Sequence, residues 1–149
     1  MKVMDVMQTN VITIQMDLEI KEIAKILYDN KISGAPVVDS AGNLVGIVSE
    51  GDLLHKETNP QIPGVFGILG ALIYYRGVKQ YESDLKKLIA VQASEIMTPN
   101  VVKISKEASI EEAASLMVSK KIKRLPVVEN GKIIGIVTRM DIIKTLIAD

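Results

Sequence analysis

Apolar residues recur along the chain at two periods. Around 20–27 and again around 110–117 they fall at i, i+3, i+4 and i+7: Ile20, Ile23, Ala24 and Leu27, then Ile110, Ala113, Ala114 and Met117. That spacing lays an apolar stripe along one face and predicts two amphipathic helices. The second opens on Ser109 with Glu112 three residues on, the spacing of a capping box. Elsewhere short β-rich runs dominate. VITI (11–14) and VVKI (101–104) precede the helices, APVVD (35–39) and LPVVE (125–129) follow them, and LVGIVS (44–49) and IIGIVT (133–138) come next. Apolar runs of this length read as buried strands. The turns SAGN and ENGK separate the last two strands of each set, and Asn130-Gly131 is a strong hairpin signal. A final helix follows each set. The predicted order is β-α-β-β-α, twice.

The two sets are copies. Met7, Asn10, Val11 and Ile14 match Met97, Asn100, Val101 and Ile104 at an offset of 90. Ile20, Glu22 and Ala24 match Ile110, Glu112 and Ala114; Lys31-Ile32 matches Lys121-Ile122; Pro36-Val37-Val38 matches Pro126-Val127-Val128. One residue is lost in a turn, and the offset becomes 89 for Gly42, Gly46-Ile47-Val48 and Asp52 against Gly131, Gly135-Ile136-Val137 and Asp141. The domain reading is repeat 1 over 1–56, an inserted linker over 57–92 and repeat 2 over 93–149. The fold class is α/β of the α+β type. A half of roughly 55 residues leaves one face of a small sheet poorly covered. Two pseudo-symmetric repeats packed sheet to sheet would bury those faces and create two clefts.

Composition narrows the function. Of the 149 residues, 48 % are hydrophobic, enough for a real core, with one Phe and no Trp. Lys plus Arg and Asp plus Glu are 18 each, so the basic surplus of a duplex-binding module is missing and no nucleic-acid partner is expected. There is no cysteine, which excludes disulfides, thiol catalysis and Cys-type zinc sites. The start, MKVMDVMQTN, has no apolar core of a secretory signal. The longest apolar stretch, 65–75, would make a helix of about 16 Å against a hydrocarbon core of about 30 Å, so no membrane span is expected. The expected location is the cytoplasm. The catalytic inventory is thin: one histidine, His55, read as a surface or capping residue, and no Walker-type phosphate loop. No catalytic residue and no metal site are assigned, and the chain is read as a non-enzyme.

The double pattern D-V-M…N-V…K-I-S-G-A-P-V-V-D…G-N-L-V-G-I-V-S-E-G-D, with its partner I-M-T-P-N-V-V…K-I-K-R-L-P-V-V-E…G-K-I-I-G-I-V-T-R-M-D, resembles the CBS (cystathionine β-synthase) domain. Two in tandem form a Bateman module, and the resemblance covers about 3–56 and 93–148. It implies adenosine-containing ligands in clefts between paired repeats, a regulatory output, and a second pairing of modules as a homodimer. The implied ligand is AMP, ADP or ATP, with S-adenosylmethionine possible; AMP or ADP is favoured because few cations are at hand. No cofactor is required. The effector protein is unknown. The alternative is a structural or oligomerisation module with empty clefts.

The family's ligand signature is an apolar strand, then Ser or Thr, two residues, then Asp. Ser49 with Asp52 and Thr138 with Asp141 both match. A carboxylate can accept from both hydroxyls of a ribose diol, and charged acceptors make the stronger bonds. The hydroxyl three residues earlier can donate to a phosphate. The same spacing also suits a helix cap, with Ser49 and Thr138 as N-caps. By the resemblance, one cleft would use Val11, Ile12, Ile32, Ser33 and Gly34 around the base. Thr138 and Asp141 would hold the ribose-phosphate, with Lys123, Arg124 and Arg139 near its charge. The second would use Val101, Val102 and Ile122 with Ser49 and Asp52. Glu50 stands where the other copy has Arg139, and Ser33-Gly34 where it has Lys123-Arg124, so the first cleft should prefer phosphorylated ligands.

The insert has no counterpart in the repeats. Tyr81, Leu85, Leu88 and Ile89 share a helical face, with Glu82 and Lys86 as an i, i+4 pair. Phe66, Ile68, Leu69, Leu72 and Tyr75 are apolar surface suited to a lid or a homodimer contact.

Overall fold

The structure, a computed structural model, describes residues 1–55 and 91–148. The helix and apolar patch expected within the insert lie outside the described residues.

The predicted β-α-β-β-α order holds in the first repeat, but a short leading helix precedes each repeat and the first run of the second, 101–104, gives only an isolated bridge at Ile104. The elements are α1 (Val3–Val6), β1 (Ile14–Gln15), α2 (Ile20–Asp29), β2 (Gly34–Val38), β3 (Leu44–Ser49) and α3 (Glu50–His55). After the insert come α4 (Ala93–Ile96), α5 (Ile110–Ser119), β4 (Arg124–Glu129), β5 (Lys132–Thr138) and α6 (Arg139–Thr145). Both repeats are mixed α+β. In the first, β2 lies between β1 and β3, with β1 parallel to it through Ile14↔Val37 and Gln15↔Val38. In the second, β4 and β5 are antiparallel with a bulge between Val127 and Val128, and Ile104 makes a parallel bridge to Val127.

The compact units exchange the leading segments of the two repeats. One unit is Met1–Ile12, Gly42–Leu44 and Val102–Asp149; the other is Thr13–Ala41 and Val45–Val101. In the first unit, α1 docks on the second repeat: Val3 N–H donates to Ala108 O at 2.8 Å, and Gln8 and Ile136 exchange backbone bonds at 2.9 Å each way. The second unit repeats the arrangement. Ala93 N–H donates to Leu18 O at 2.8 Å, and Thr98 and Ile47 exchange bonds at 2.8 and 3.0 Å. This explains why the runs 11–14 and 101–104 are not full strands. The chain passes from one unit to the other between Ile12 and Thr13 and between Val101 and Val102, so only the far ends, Ile14 and Ile104, pair with a strand.

Each unit has its own core. Val3 joins Ile104, Ala113, Met117, Leu125, Val127 and Val137 in the first. Ala93 and Ile96 join Ile14, Ile20, Ile23, Leu27, Ala35, Val37, Val48 and Leu53 in the second. The amphipathic stripes therefore face inward as the periodicity requires. Ser109 caps α5, its hydroxyl accepting from Glu112 N–H at 3.1 Å, which is half of the box predicted there. The β4–β5 turn has Asn130 at φ 52° and Gly131 at φ 79°, the positive pair of a type I′ hairpin.

Candidate functional site

The hydroxyl–carboxylate pairs stand where β3 and β5 run into short helices. In the first unit, Thr138 ends β5 and caps α6. Its N–H donates to Asp141 Oδ2 at 2.8 Å, its hydroxyl donates to the same oxygen at 2.9 Å, and Asp141 N–H donates back to Thr138 Oγ1 at 3.3 Å. A full capping box thus exists at the spacing that the ligand signature shares with it. The Gln8 side-chain amide adds two bonds, from Nε2 to Asp141 Oδ1 and Oδ2, both at 3.0 Å. With these partners Asp141 is only 7 % exposed, the one buried charged residue among the described residues.

Three cationic residues are neighbours of Thr138 through the backbone. Arg124 pairs with Thr138 across the β4–β5 ladder. Arg139 N–H donates to Lys123 O at 3.1 Å, and its Nε donates to Ile122 O at 3.3 Å. Lys123 and Arg139 are exposed and Arg124 is half-buried. The fold therefore brings together Thr138, Arg139, Asp141, Ile122, Lys123 and Arg124. Val11, Ile12 and Val102 belong to the same unit. Ile12 is exposed, and Val102 packs on that unit's core.

The second unit carries the counterpart. Ser49 N–H donates to Asp52 Oδ2 at 2.8 Å, the Ser49 hydroxyl donates to it at 3.2 Å, and Asp52 N–H donates to Ser49 Oγ at 3.4 Å. Glu50 N–H donates to Ser33 O at 2.8 Å, matching the Arg139–Lys123 bond. Ile32, Ser33, Gly34 and Val101 belong to this unit. Here an acid and a serine occupy the places held by Arg139 and Lys123 in the first.

The approach of each leading segment to its strand depends on a glycine. A Cβ on Gly135 would stand 2.6 Å from Met7 Sδ, and one on Gly46 would run into Met97 in the same way. Each methionine of a leading segment is thus seated on the strand that ends in the signature hydroxyl.

A model of the CBS domain matches residues 3–58 and 93–148. The chain belongs to the CBS domain family. With two matched copies, it is a tandem CBS pair. An uncharacterized protein of Methanocaldococcus jannaschii is 34 % identical over 99 % of this chain and 92 % of its own length. The crystal structure of CBSX2 (a protein of Arabidopsis thaliana) in complex with AMP matches with a TM-score of 0.71 at 26 % identity, covering 98 % of this chain and 96 % of that one. The CBS domain pair of protein MJ0100, in complex with 5′-methylthioadenosine and S-adenosyl-L-methionine, matches with a TM-score of 0.70 at 26 % identity over 98 % and 95 %.

Sequence reasoning anticipated the signature pairs but not Gln8. The signal was present: between the matched Met7/Met97 and Asn10/Asn100, position 8 is glutamine where position 98 is threonine. Among the described residues no group of acids and histidines could hold a metal ion, and no helix is long and apolar enough to cross a membrane.

Proposed function

We propose that this CBS pair is a regulatory sensor of an adenosine-containing nucleotide, AMP or ADP by preference, and that it passes the signal to a partner protein. The observation that carries the reading is the grouping of Thr138 and Asp141 with Lys123, Arg124 and Arg139 in one unit. A carboxylate for a ribose diol stands beside cations for a phosphate, and charge-assisted bonds of both kinds are the strong ones. The adenosine ligands of CBSX2 and of the MJ0100 pair support the ligand class. Three cations suit one or two phosphates better than three.

The Ser49–Asp52 pair, with Val101 from the same unit, is the second site of this proposal. Glu50 in place of Arg139 makes it the poorer phosphate binder. A homodimer in the cytoplasm belongs to the same reading: Met140, Ile143, Leu146 and Ile147 lie exposed along and beyond α6 and offer apolar surface to a second copy. Turnover of the nucleotide is not part of the proposal, and incubation with AMP or ATP should yield no product.

A second reading is an interaction module without ligand. It is favoured by the completeness of the Thr138–Asp141 box, which accounts for that pair as a helix cap. Thermal unfolding against AMP, ADP, ATP and S-adenosylmethionine separates the two. A ligand at 100 times its Kd adds about 2.7 kcal/mol. A shift with one of these, lost in Asp141→Asn, supports the sensor; no shift with any of them supports the interaction module.

A further inference from the structure

We infer that Gln8 is a built-in competitor for the Asp141 carboxylate, a side chain that a ribose diol must displace. The inference rests on the sensor reading above and concerns how tightly that site binds. Capping uses Oδ2 of Asp141, which takes the N–H and hydroxyl of Thr138. The outer edge of the carboxylate remains, and the Gln8 amide spans it, with Nε2 3.0 Å from each oxygen. A cis-diol approaching a carboxylate edge-on needs the same lone pairs, because an ionised carboxylate only accepts and offers about four lone-pair sites.

The placement of Gln8 suits a latch. Its backbone is fixed by the reciprocal bonds to Ile136, so the side chain always starts within reach of Asp141. The residue itself is exposed, so the amide can swing into water without leaving a void.

The other repeat supplies the comparison. Thr98 takes the place of Gln8, with the same reciprocal backbone bonds, here to Ile47. Asp52 has the same capping partners from Ser49. Threonine is too short to span the carboxylate, and Oδ1 of Asp52 accepts no hydrogen bond among the described residues. Accordingly Asp52 is only half-buried, where Asp141 is buried. One carboxylate is latched and its copy has no such latch among the described residues, so the two sites respond at different ligand concentrations.

The test is calorimetric titration of the full chain with AMP, with one site silenced at a time. In an Asp52→Asn background, Gln8→Thr should tighten AMP binding about tenfold, the worth of one hydrogen bond to a charged group. Gln8→Ala should act in the same direction, and 2′-deoxy-AMP should gain less. In an Asp141→Asn background, Thr98→Gln should weaken AMP about tenfold. In the unaltered protein, saturating AMP should move the Gln8 side-chain amide resonance to the position of a solvent-exposed glutamine. AMP binding that is unchanged or weaker in both Gln8 variants overturns the latch and leaves the sensor intact. So does a Gln8 amide signal that stays fixed while the backbone signals of 138–141 move. AMP binding absent from every variant overturns the sensor reading and the latch with it.

Discussion

Met7 Sδ lies 2.6 Å from the point where a Cβ on Gly135 would stand, so a leading segment and a strand from different repeats fit only because residue 135 lacks a side chain. Met97 and Gly46 repeat the relationship. An added methyl would also meet the Gln8 carbonyl at 3.1 Å, which the backbone bonds to Ile136 hold in place. Gly135→Ala should therefore destabilise the protein by about 1–3 kcal/mol, the usual cost of overpacking. Met7→Ala in the same chain should recover part of that loss, because the flexible thioether is the first atom in the way. Urea unfolding of the two single variants and the double variant checks this as a double-mutant cycle.

Much of this was legible in the sequence because the signals are local. The stripe Ile20, Ile23, Leu27 is buried as its spacing requires, and Asn130-Gly131 turns as its chemistry requires. The exchange of leading segments was not legible. Val3 and Ala93 would look the same in the apolar pattern whichever core they entered, and a repeat offers two equivalent partners by construction. The candidate site divides in the same way. Thr138–Asp141 and Ser49–Asp52 follow from spacing, whereas the Gln8–Asp141 bond spans 133 positions and depends on that exchange.

The two caps should differ in worth. Among the described residues, Asp141 accepts from Thr138 and from Gln8 and is buried, whereas Asp52 accepts from Ser49 alone and is half-buried. Asp141→Ala should cost about 1–2 kcal/mol, the upper part of the range for a lost cap. Asp52→Ala should cost less. Asp141→Asn should lie between wild type and Asp141→Ala, because an amide oxygen can still accept from Thr138. Thermal melting without ligand orders the three variants. Equal losses for Asp141→Ala and Asp52→Ala would show that Gln8 adds nothing to stability.

Lys31 and Lys121 are places where the fold is under strain. Each follows its helix at φ 54° or 55°, where an L side chain costs about 1–2 kcal/mol. The strain closes a Schellman motif: Ile32 N–H reaches Leu27 O and Ile122 N–H reaches Met117 O, each at 3.0 Å. Lys121 is exposed, so its side chain has little packing to lose. Lys121→Gly should stabilise by about 0.5–1 kcal/mol after the larger unfolded-state entropy of glycine is subtracted. An unchanged or lowered melting temperature would show that the lysine side chain contributes something that its exposure does not reveal.

The docking of α1 should carry a pH signature. Lys2 Nζ lies 2.6 Å from Glu107 Oε2, joining the first residues of the chain to the body of the second repeat. The hydrogen bond from Lys2, then its charge, holds Glu107 below its ordinary 4.5; the same bond and charge hold Lys2 above its ordinary 10.5. A lowered carboxyl contributes stability above 4.5 that is lost as pH falls through its folded value. A raised amine contributes stability below 10.5 that is lost as pH rises through its folded value. Both side chains are exposed, so the contribution is small and screened by salt. Glu107→Gln should flatten both limbs of the stability profile and leave the neutral plateau only slightly lower, less than Gly135→Ala lowers it. Urea midpoints across the pH range at low and high salt test this. An acid limb as steep in Glu107→Gln as in wild type would mean that other carboxylates govern acid unfolding and that Lys2 is not what ties α1 down.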